Sequence, residues 1–447
     1  MILKNKLIYL VVLVFFIAKL FTLSAYKTIW WDSAAYFGMG KYIYSFGSAG
    51  LWEYSRPLVW PALLGFLWKL GFGILAARLI EIIFGCLAIF MTYLIGKELF
   101  DEKTALLSSF FLAISPTFLF FNGIMLTEIV SAFFSLFAVY LLLKNKHLLS
   151  GIFFGIAFMA RFLQFFAFIA VVFALICSKK DSKAFQGIFL GFLLAISPYL
   201  ILNHILYNNA FFPFIQQVFL AANSGWLNHH PISYYFVGLF KENFLYLFFI
   251  AGIALAYKKQ KSRFIVFPLI ILFLFFNLIK QKEMRFLIIL LPYMYLLASH
   301  ALVYFVERGK LKNLAVPLIF VLLVLSTVKI SLNLASESGK SNKYGALQAK
   351  LEEAEGNIWI SSPIMAVESG KRIGKLIYYP VFWQDFGELL QKSKEASFIF
   401  LDACDLGCRP YDNECEDDKK EIIAFFRQNF KQVYSKQGEC PQFVFSK

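Results

Sequence analysis

The chain has 447 residues, 60% of them apolar and 19% aromatic, with 55 phenylalanines and a formal net charge of +15. Soluble domains hold about 45–50% apolar residues, so this composition excludes an ordinary globular protein and indicates a polytopic membrane protein. The cationic excess sits mostly in short connectors between apolar runs, where it sets orientation in a bilayer, and not in a patch built for nucleic acid.

A bilayer core of about 30 Å needs about 20 apolar residues per helix. About eleven such spans can be marked, at roughly 7–25, 74–95, 104–121, 126–143, 148–162, 164–177, 184–206, 234–257, 264–279, 286–306 and 313–332. The first is long and lacks a small-residue cleavage site, so it is expected to be a retained anchor and not a signal peptide. The fifth and sixth are short, separated only by Arg161 to Leu163, and could form one kinked element. Loop charge decides between the two counts. With the N-terminus inside and two spans here, every inner connector is basic: Lys4 and Lys6; Lys97 and Lys103; Lys144 and Lys146; Lys179, Lys180 and Lys183; Lys258, Lys259, Lys261 and Arg263; Arg308, Lys310 and Lys312. One span would put the last three clusters outside.

That orientation places 26–56, 122–125, 207–233, 280–285 and everything after 332 on the extracytoplasmic face of the cell membrane. The informative polar residues all fall on this side, so a site assembled from separate outer loops is expected. Within the first loop, taken as 26–73, the run Pro57 to Gly71 is apolar but too short to cross, which suggests an interfacial or re-entrant helix, or a short helix packed on the bundle. After Ser336 the hydropathy collapses. Strands at 357–360, 375–379 and 397–401, helical segments near 362–369 and 384–393, and a helix at 419–430 predict a small α/β domain. The expected division is therefore 1–335, a helical membrane domain, and 336–447, an extracytoplasmic α/β domain. Cys404, Cys408, Cys415 and Cys440 lie in the latter; two disulfides are favoured there over a four-thiolate zinc site.

Asp32, in Trp30-Trp31-Asp32-Ser33-Ala34-Ala35-Tyr36, is the leading candidate for chemistry. A carboxylate at the membrane boundary can take a proton from a hydroxyl arriving from water while its partner arrives from lipid; the alternative is a helix cap or a loop carboxylate paired with Arg56. Glu128 opens an apolar helix on the same face, either as a cap with Thr127 or as a second carboxylate that orients an acceptor or helps hold a metal. Lys280-Gln281-Lys282-Glu283-Met284-Arg285-Phe286 gathers three cations in an outer loop, against the positive-inside tendency. A lipid phosphate would explain Lys280, Lys282 and Arg285, with Arg161 joining them; a headgroup-bound, snorkelling loop would also. His204, His229 and His230 lack metal-ligand spacing on a helix and are read as loop residues. Phosphate-binding glycine loops and nucleophile elbows are absent from the sequence, which argues against nucleotide hydrolysis.

With these residues in view, the chain resembles the GT-C superfamily of membrane glycosyltransferases, in the branch that includes dolichyl-phosphate-mannose protein mannosyltransferases and aminoarabinose transferases. The matching pieces are Trp31 to Tyr36, Ser55-Arg56-Pro57-Leu58-Val59-Trp60-Pro61, Thr127-Glu128, and Lys282-Glu283-Met284-Arg285-Phe286, where Gln281 stands in place of the family's His. The resemblance implies an inverting transfer of a hexose, of mannose type, from a polyprenyl- or dolichyl-phosphate donor to a hydroxyl of a protein, glycan or lipid. It assigns Asp32 as base; either this carboxylate suffices or Glu128 supplies a second, while Lys280, Lys282, Arg285 and Arg161 are expected at the donor phosphate and Arg56, Glu283 and Tyr36 at substrate. Family members often carry Asp-Glu where this chain has Asp32-Ser33, which leaves a divalent metal, Mg or Mn, an open matter; no other cofactor is expected. The competing reading is a polytopic transporter or flippase of lipids or solutes. Charged residues at span ends, and no internal repeat, speak against it.

Overall fold

A computed structural model describes residues 6–178, 182–223, 226–309, 315–378 and 386–447. Lys4, Lys179, Lys180, Lys310 and Lys312 of the expected inner connectors, residues 313–314 of the last span, Tyr379 of the second expected strand and residues 384–385 of an expected helix lie outside the described residues.

Helices α1 (Lys6–Thr22), α2 (Trp31–Tyr44), α3 (Val59–Lys69) and α4 (Ile74–Leu99) open the chain. They are followed by α5 (Glu102–Ile114), α6 (Pro116–Phe121), α7 (Thr127–Leu143), α8 (His147–Ala160), α9 (Gln164–Cys177), α10 (Ser182–Tyr207), α11 (Phe212–Asn223), α12 (Tyr234–Glu242), α13 (Phe249–Ala256), α14 (Arg263–Leu278), α15 (Leu291–Glu307) and α16 (Ala315–Ser338). Each of the eleven expected spans contains helix among the described residues. Among the described residues four stretches are long and apolar enough to cross a membrane, Lys6–Ala25, Ile74–Leu99, Ser182–Tyr207 and Gln260–Leu278, while Thr127–Leu143, His147–Ala160 and Gln164–Cys177 are apolar but shorter.

Three spans are interrupted where the backbone changes course. Ser115 caps α6, its Oγ accepting from the Phe118 N–H at 3.4 Å, and Pro116 follows at the first helical position, so 104–121 becomes two helices. Asn243 is extended and a 3₁₀ segment, Phe244–Phe248, separates α12 from α13. A second 3₁₀ segment, Met284–Ile289, leads into α15. The fifth and sixth spans are separate: Arg161 is extended between α8 and α9 (φ −156°, ψ 117°).

The chain divides into two compact units. One comprises Met1–Tyr26, Leu75–Ile215 and Leu227–Gly339; the other comprises Lys27–Ile74, Gln216–Trp226 and Lys340–Lys447. The sequence division groups 26–73 with the membrane helices, whereas here Lys27–Ile74 is compact with the C-terminal residues. In the first unit a continuous apolar core runs through α4, α5, α7 to α10 and α13 to α15.

In the second unit α17 (Gly345–Glu353), β1 (Ile358–Ile360), β2 (Ile373–Leu376), α18 (Phe386–Ser393), β3 (Phe398–Asp402), α19 (Asn413–Asn429), β4 (Lys431–Lys436) and β5 (Gln442–Ser446) form the α/β part. The sheet order is β2-β1-β3-β5-β4, with β1 parallel to β2 and β3, and β5 antiparallel to β3 and β4. Alternation sorts the strands into two cores. Ile358, Ile360, Phe400 and Val444 join Leu347, Leu351, Met39 and Leu51, while Trp359, Ile399, Leu401, Phe443 and Phe445 join Ile422 and Phe426. The segment expected to be helical at 362–369 is a 3₁₀ turn, Pro363–Ala366, and the last helix begins earlier than expected, capped by Asp412. The four cysteines form two disulfides, Cys404–Cys440 and Cys408–Cys415, which displaces the zinc alternative.

Helix α2 packs on α3 through two glycines: a Cβ on Gly40 would lie 2.6 Å from the Gly65 nitrogen and the Pro61 carbonyl oxygen. On the same helix Lys41 is buried, its Nζ donating to the Val367 and Ser369 carbonyls at 2.5 and 2.8 Å. Burial lowers its pKa to about 8, against the pull of Glu352 and Glu368. Because the folded chain releases this proton before the unfolded chain does, stability should rise with pH between about 8 and 10.5, by roughly 3 kcal/mol from this group. Thermal unfolding of the detergent-solubilised protein across that range is expected to show the rise, and Lys41→Met to lack it.

Candidate active site

Asp32 lies in the first turn of α2, not in a loop, so the partial positive charge at the helix N-terminus favours its carboxylate. Its Oδ1 accepts from Arg56 Nη2 at 2.9 Å, and Arg56 Nε bonds Glu53. Trp31 and Tyr36 flank the guanidinium, with ring centroids 5.3 and 4.9 Å from its carbon. Burial works against the Arg56 charge, but Glu53 and Asp32 outweigh it and hold its pKa well above the ordinary value. Asp32 is the accessible member, 28% exposed, while Glu53 is 7% exposed and its Oε1 is buried with no hydrogen-bond partner. Tyr36, expected at substrate, is buried against Arg56 and serves to position it. The sequence reading missed Glu53; its signal was the i,i+3 spacing to Arg56.

The first unit carries a second cluster. Glu128, in the first turn of α7 and 1% exposed, lies 3.0 Å from Arg161 Nη1 and 3.6 Å from Arg285 Nε. Arg161 Nη1 also donates to Thr127 Oγ1 at 3.0 Å. Arg285 Nη2 donates to Glu283 Oε1 at 2.9 Å, and its Nε lies in ion-pair range of Glu283 Oε2 at 2.8 Å. The Phe286 ring lies 5.3 and 5.7 Å from the two guanidinium carbons. Arg161 Nε is buried and has no hydrogen-bond partner among the described residues, so one arm of this fork can still take an anion.

Of the remaining loop cations, Lys282 turns inward and Lys280 outward. Lys282 is buried, and its Nζ donates to the carbonyls of His230 (3.0 Å) and Ile279 (2.6 Å), which ties the loop down rather than presenting charge to a phosphate. Lys280 is exposed and forms no ion pair among the described residues. Glu283 holds Arg285 and Gln281, the latter at 3.3 Å, so its visible role is to set the arginine. His229 and Gln281 form an isolated bridge that pairs the two loops.

One further residue builds the second cluster. Glu81 of α4 is fully buried and accepts the N–H groups of Gly123 (2.8 Å), Met125 (2.6 Å) and Leu126 (2.9 Å). These bonds fix the turn that delivers Thr127 and Glu128, in which Met125 adopts φ 70°. An acid inside an apolar span was the signal for it.

Arg56 places a permanent cation against both Asp32 and Glu53. Among the described residues the group with three ligand atoms of metal-binding spacing is Asp402, Cys404 and Cys440, and its two thiols form a disulfide. The residues around Asp32 do not fit a divalent ion.

The fold sets the class, a helical membrane protein with the same overall fold as the solved structure of ArnT. Residues 55–202 match the family described as dolichyl-phosphate-mannose-protein mannosyltransferase. Among solved structures, ArnT from Cupriavidus metallidurans bound to undecaprenyl phosphate is similar at TM-score 0.72 and 11% identity, over 99% of this chain and 98% of that one. The archaeal oligosaccharyltransferase AglB from Archaeoglobus fulgidus, in complex with an inhibitory peptide and a dolichol-phosphate, is similar at TM-score 0.58 and 14% identity, over 100% of this chain and 75% of that one. No curated protein matches the chain by sequence.

Proposed function

We propose that the protein is an integral membrane glycosyltransferase that moves a hexose, of mannose type, from a polyprenyl or dolichyl phosphate to an acceptor hydroxyl on the extracytoplasmic face. The observation that carries this reading is the Arg161 and Arg285 pair, set by one buried carboxylate and retaining an uncommitted Nε on Arg161. Guanidinium groups bind phosphate through paired N–H donors and stabilise the charge that grows on a phosphate leaving group. In the reaction the acceptor oxygen attacks the anomeric carbon, the bond from that carbon to the phosphate oxygen breaks with its electron pair on the phosphate, and the hydroxyl proton passes to Asp32. One displacement inverts the anomeric centre.

Lipid phosphates in the solved relatives ArnT and AglB support this donor class, and the matching family's description supports mannose and a protein acceptor. The basic connectors support a cytoplasmic N-terminus and an extracytoplasmic C-terminal domain. Because Arg56 already lies against both Asp32 and Glu53, the proposed reaction routes no step through a metal; turnover in EDTA is expected to stay within about twofold of that in Mg or Mn.

The test is transfer of label from a polyprenyl-phosphate sugar in membranes containing the protein. Arg161→Gln is expected to raise the donor KM about 10- to 100-fold through loss of a charge-assisted contact. An unchanged KM removes Arg161 from the phosphate site, and movement of the lipid across proteoliposomes without sugar transfer would favour the transporter reading.

A further inference from the structure

Helix α12, the loop before it, Met284 and Lys329 of α16 line a half-open cavity of about 360 Å³ in the first unit. Its polar lining includes Ser233, Tyr234, Lys241, Glu242 and Lys329. None of these belongs to the two clusters above. Glu242 is 4% exposed; Thr117 Oγ1 donates to its Oε1, and its Oε2 is buried with no hydrogen-bond partner. A buried carboxylate oxygen left without a donor is unfavourable, so an orphan of this kind calls for a ligand. Lys329 interrupts the apolar α16 and lies within Coulomb range of Glu242.

We propose that this cavity binds a primary ammonium linked through a short chain to a phosphate, the chemistry of an aminoalkyl phospholipid headgroup. The ammonium donates to Glu242 Oε2, the phosphate lies with Lys241 and Lys329, and Val237 and Met284 take the first methylenes. Glu242 supplies a charged acceptor for one of the ammonium's three N–H donors, and the two lysines supply the charge that a phosphate needs and an isolated amine does not. The site is independent of the transfer chemistry.

Equilibrium binding to the full-length protein in detergent tests this, with short-chain phosphatidylethanolamine, phosphatidylcholine and phosphatidylglycerol as probes. The ethanolamine lipid is expected to bind at least about tenfold tighter than the other two, since a quaternary ammonium and a glycerol cannot supply a charged N–H donor. Glu242→Gln should reduce it to the level of the choline lipid, and Lys329→Met should weaken the ethanolamine and glycerol lipids together. Equal binding of all three lipids, or undiminished ethanolamine binding in Glu242→Gln, overturns the proposal. If Glu242→Gln does not fold, Lys329→Met at its exposed position carries the test, and unchanged affinity there overturns it. Free O-phosphoethanolamine competing as well as the lipid identifies a soluble phosphoamine as the occupant; competition by the lipid alone identifies the membrane.

Discussion

Asp32→Asn is expected to lower turnover about 10²- to 10⁴-fold while leaving the donor KM within about threefold of wild type. The substitution removes a proton acceptor but little else. Asparagine keeps an oxygen for Arg56 Nη2 at the place where Asp32 Oδ1 now sits, and Glu53 still holds Arg56 Nε. Asp32 is the least buried of the three, so the loss of stability should stay near 1 kcal/mol. A single-turnover assay with labelled donor, alongside thermal unfolding of the same preparation, separates the two effects. Turnover above a tenth of wild type in a folded Asp32→Asn protein ends its assignment as the base. Glu53→Gln provides the contrast: it leaves the proton acceptor in place and loosens Arg56, so a smaller loss is expected, together with a lower unfolding midpoint.

The membrane helices were legible because a long apolar run has few other solutions. The helix carrying Asp32 was not. Trp31–Tyr44 contains Gly38 and Gly40, which weaken helical propensity, and their benefit appears only in the approach of α2 to α3. The hairpin of β4 and β5 was missed for a related reason. Lys431–Lys436 is a largely exposed edge strand with a polar sequence, and its partner Gln442–Ser446 is short. In the candidate site, Glu128, Arg161 and Arg285 could be named from charge placed against an apolar background, and they do meet. Lys282 could not be told from them, because residue type alone does not say whether an ammonium ends on backbone carbonyls, as this one does. Glu53 and Glu81 were overlooked because their partners are respectively a neighbour on a turn and three backbone N–H groups some forty residues away.

Glu81→Ala is expected to lower stability by about 3–5 kcal/mol and to raise the donor KM at temperatures where the protein still folds. Three buried N–H groups, those of Gly123, Met125 and Leu126, lose their acceptor at once. The turn they form is not self-sustaining, since a methionine at φ 70° is unfavourable by about 1–3 kcal/mol and stays there only while its surroundings hold it. If that hold is released, Thr127 and Glu128 move, and with them the contacts that orient Arg161 and Arg285. Glu81→Gln should fall between the two. Its oxygen can still accept from Gly123 and Met125, but its amide nitrogen then confronts the Leu126 N–H, donor against donor. Unfolding midpoints of the three proteins in one detergent, measured beside donor KM, test this ranking. A Glu81→Ala protein with an unchanged midpoint would mean that the turn before α7 is held by the helix ends alone.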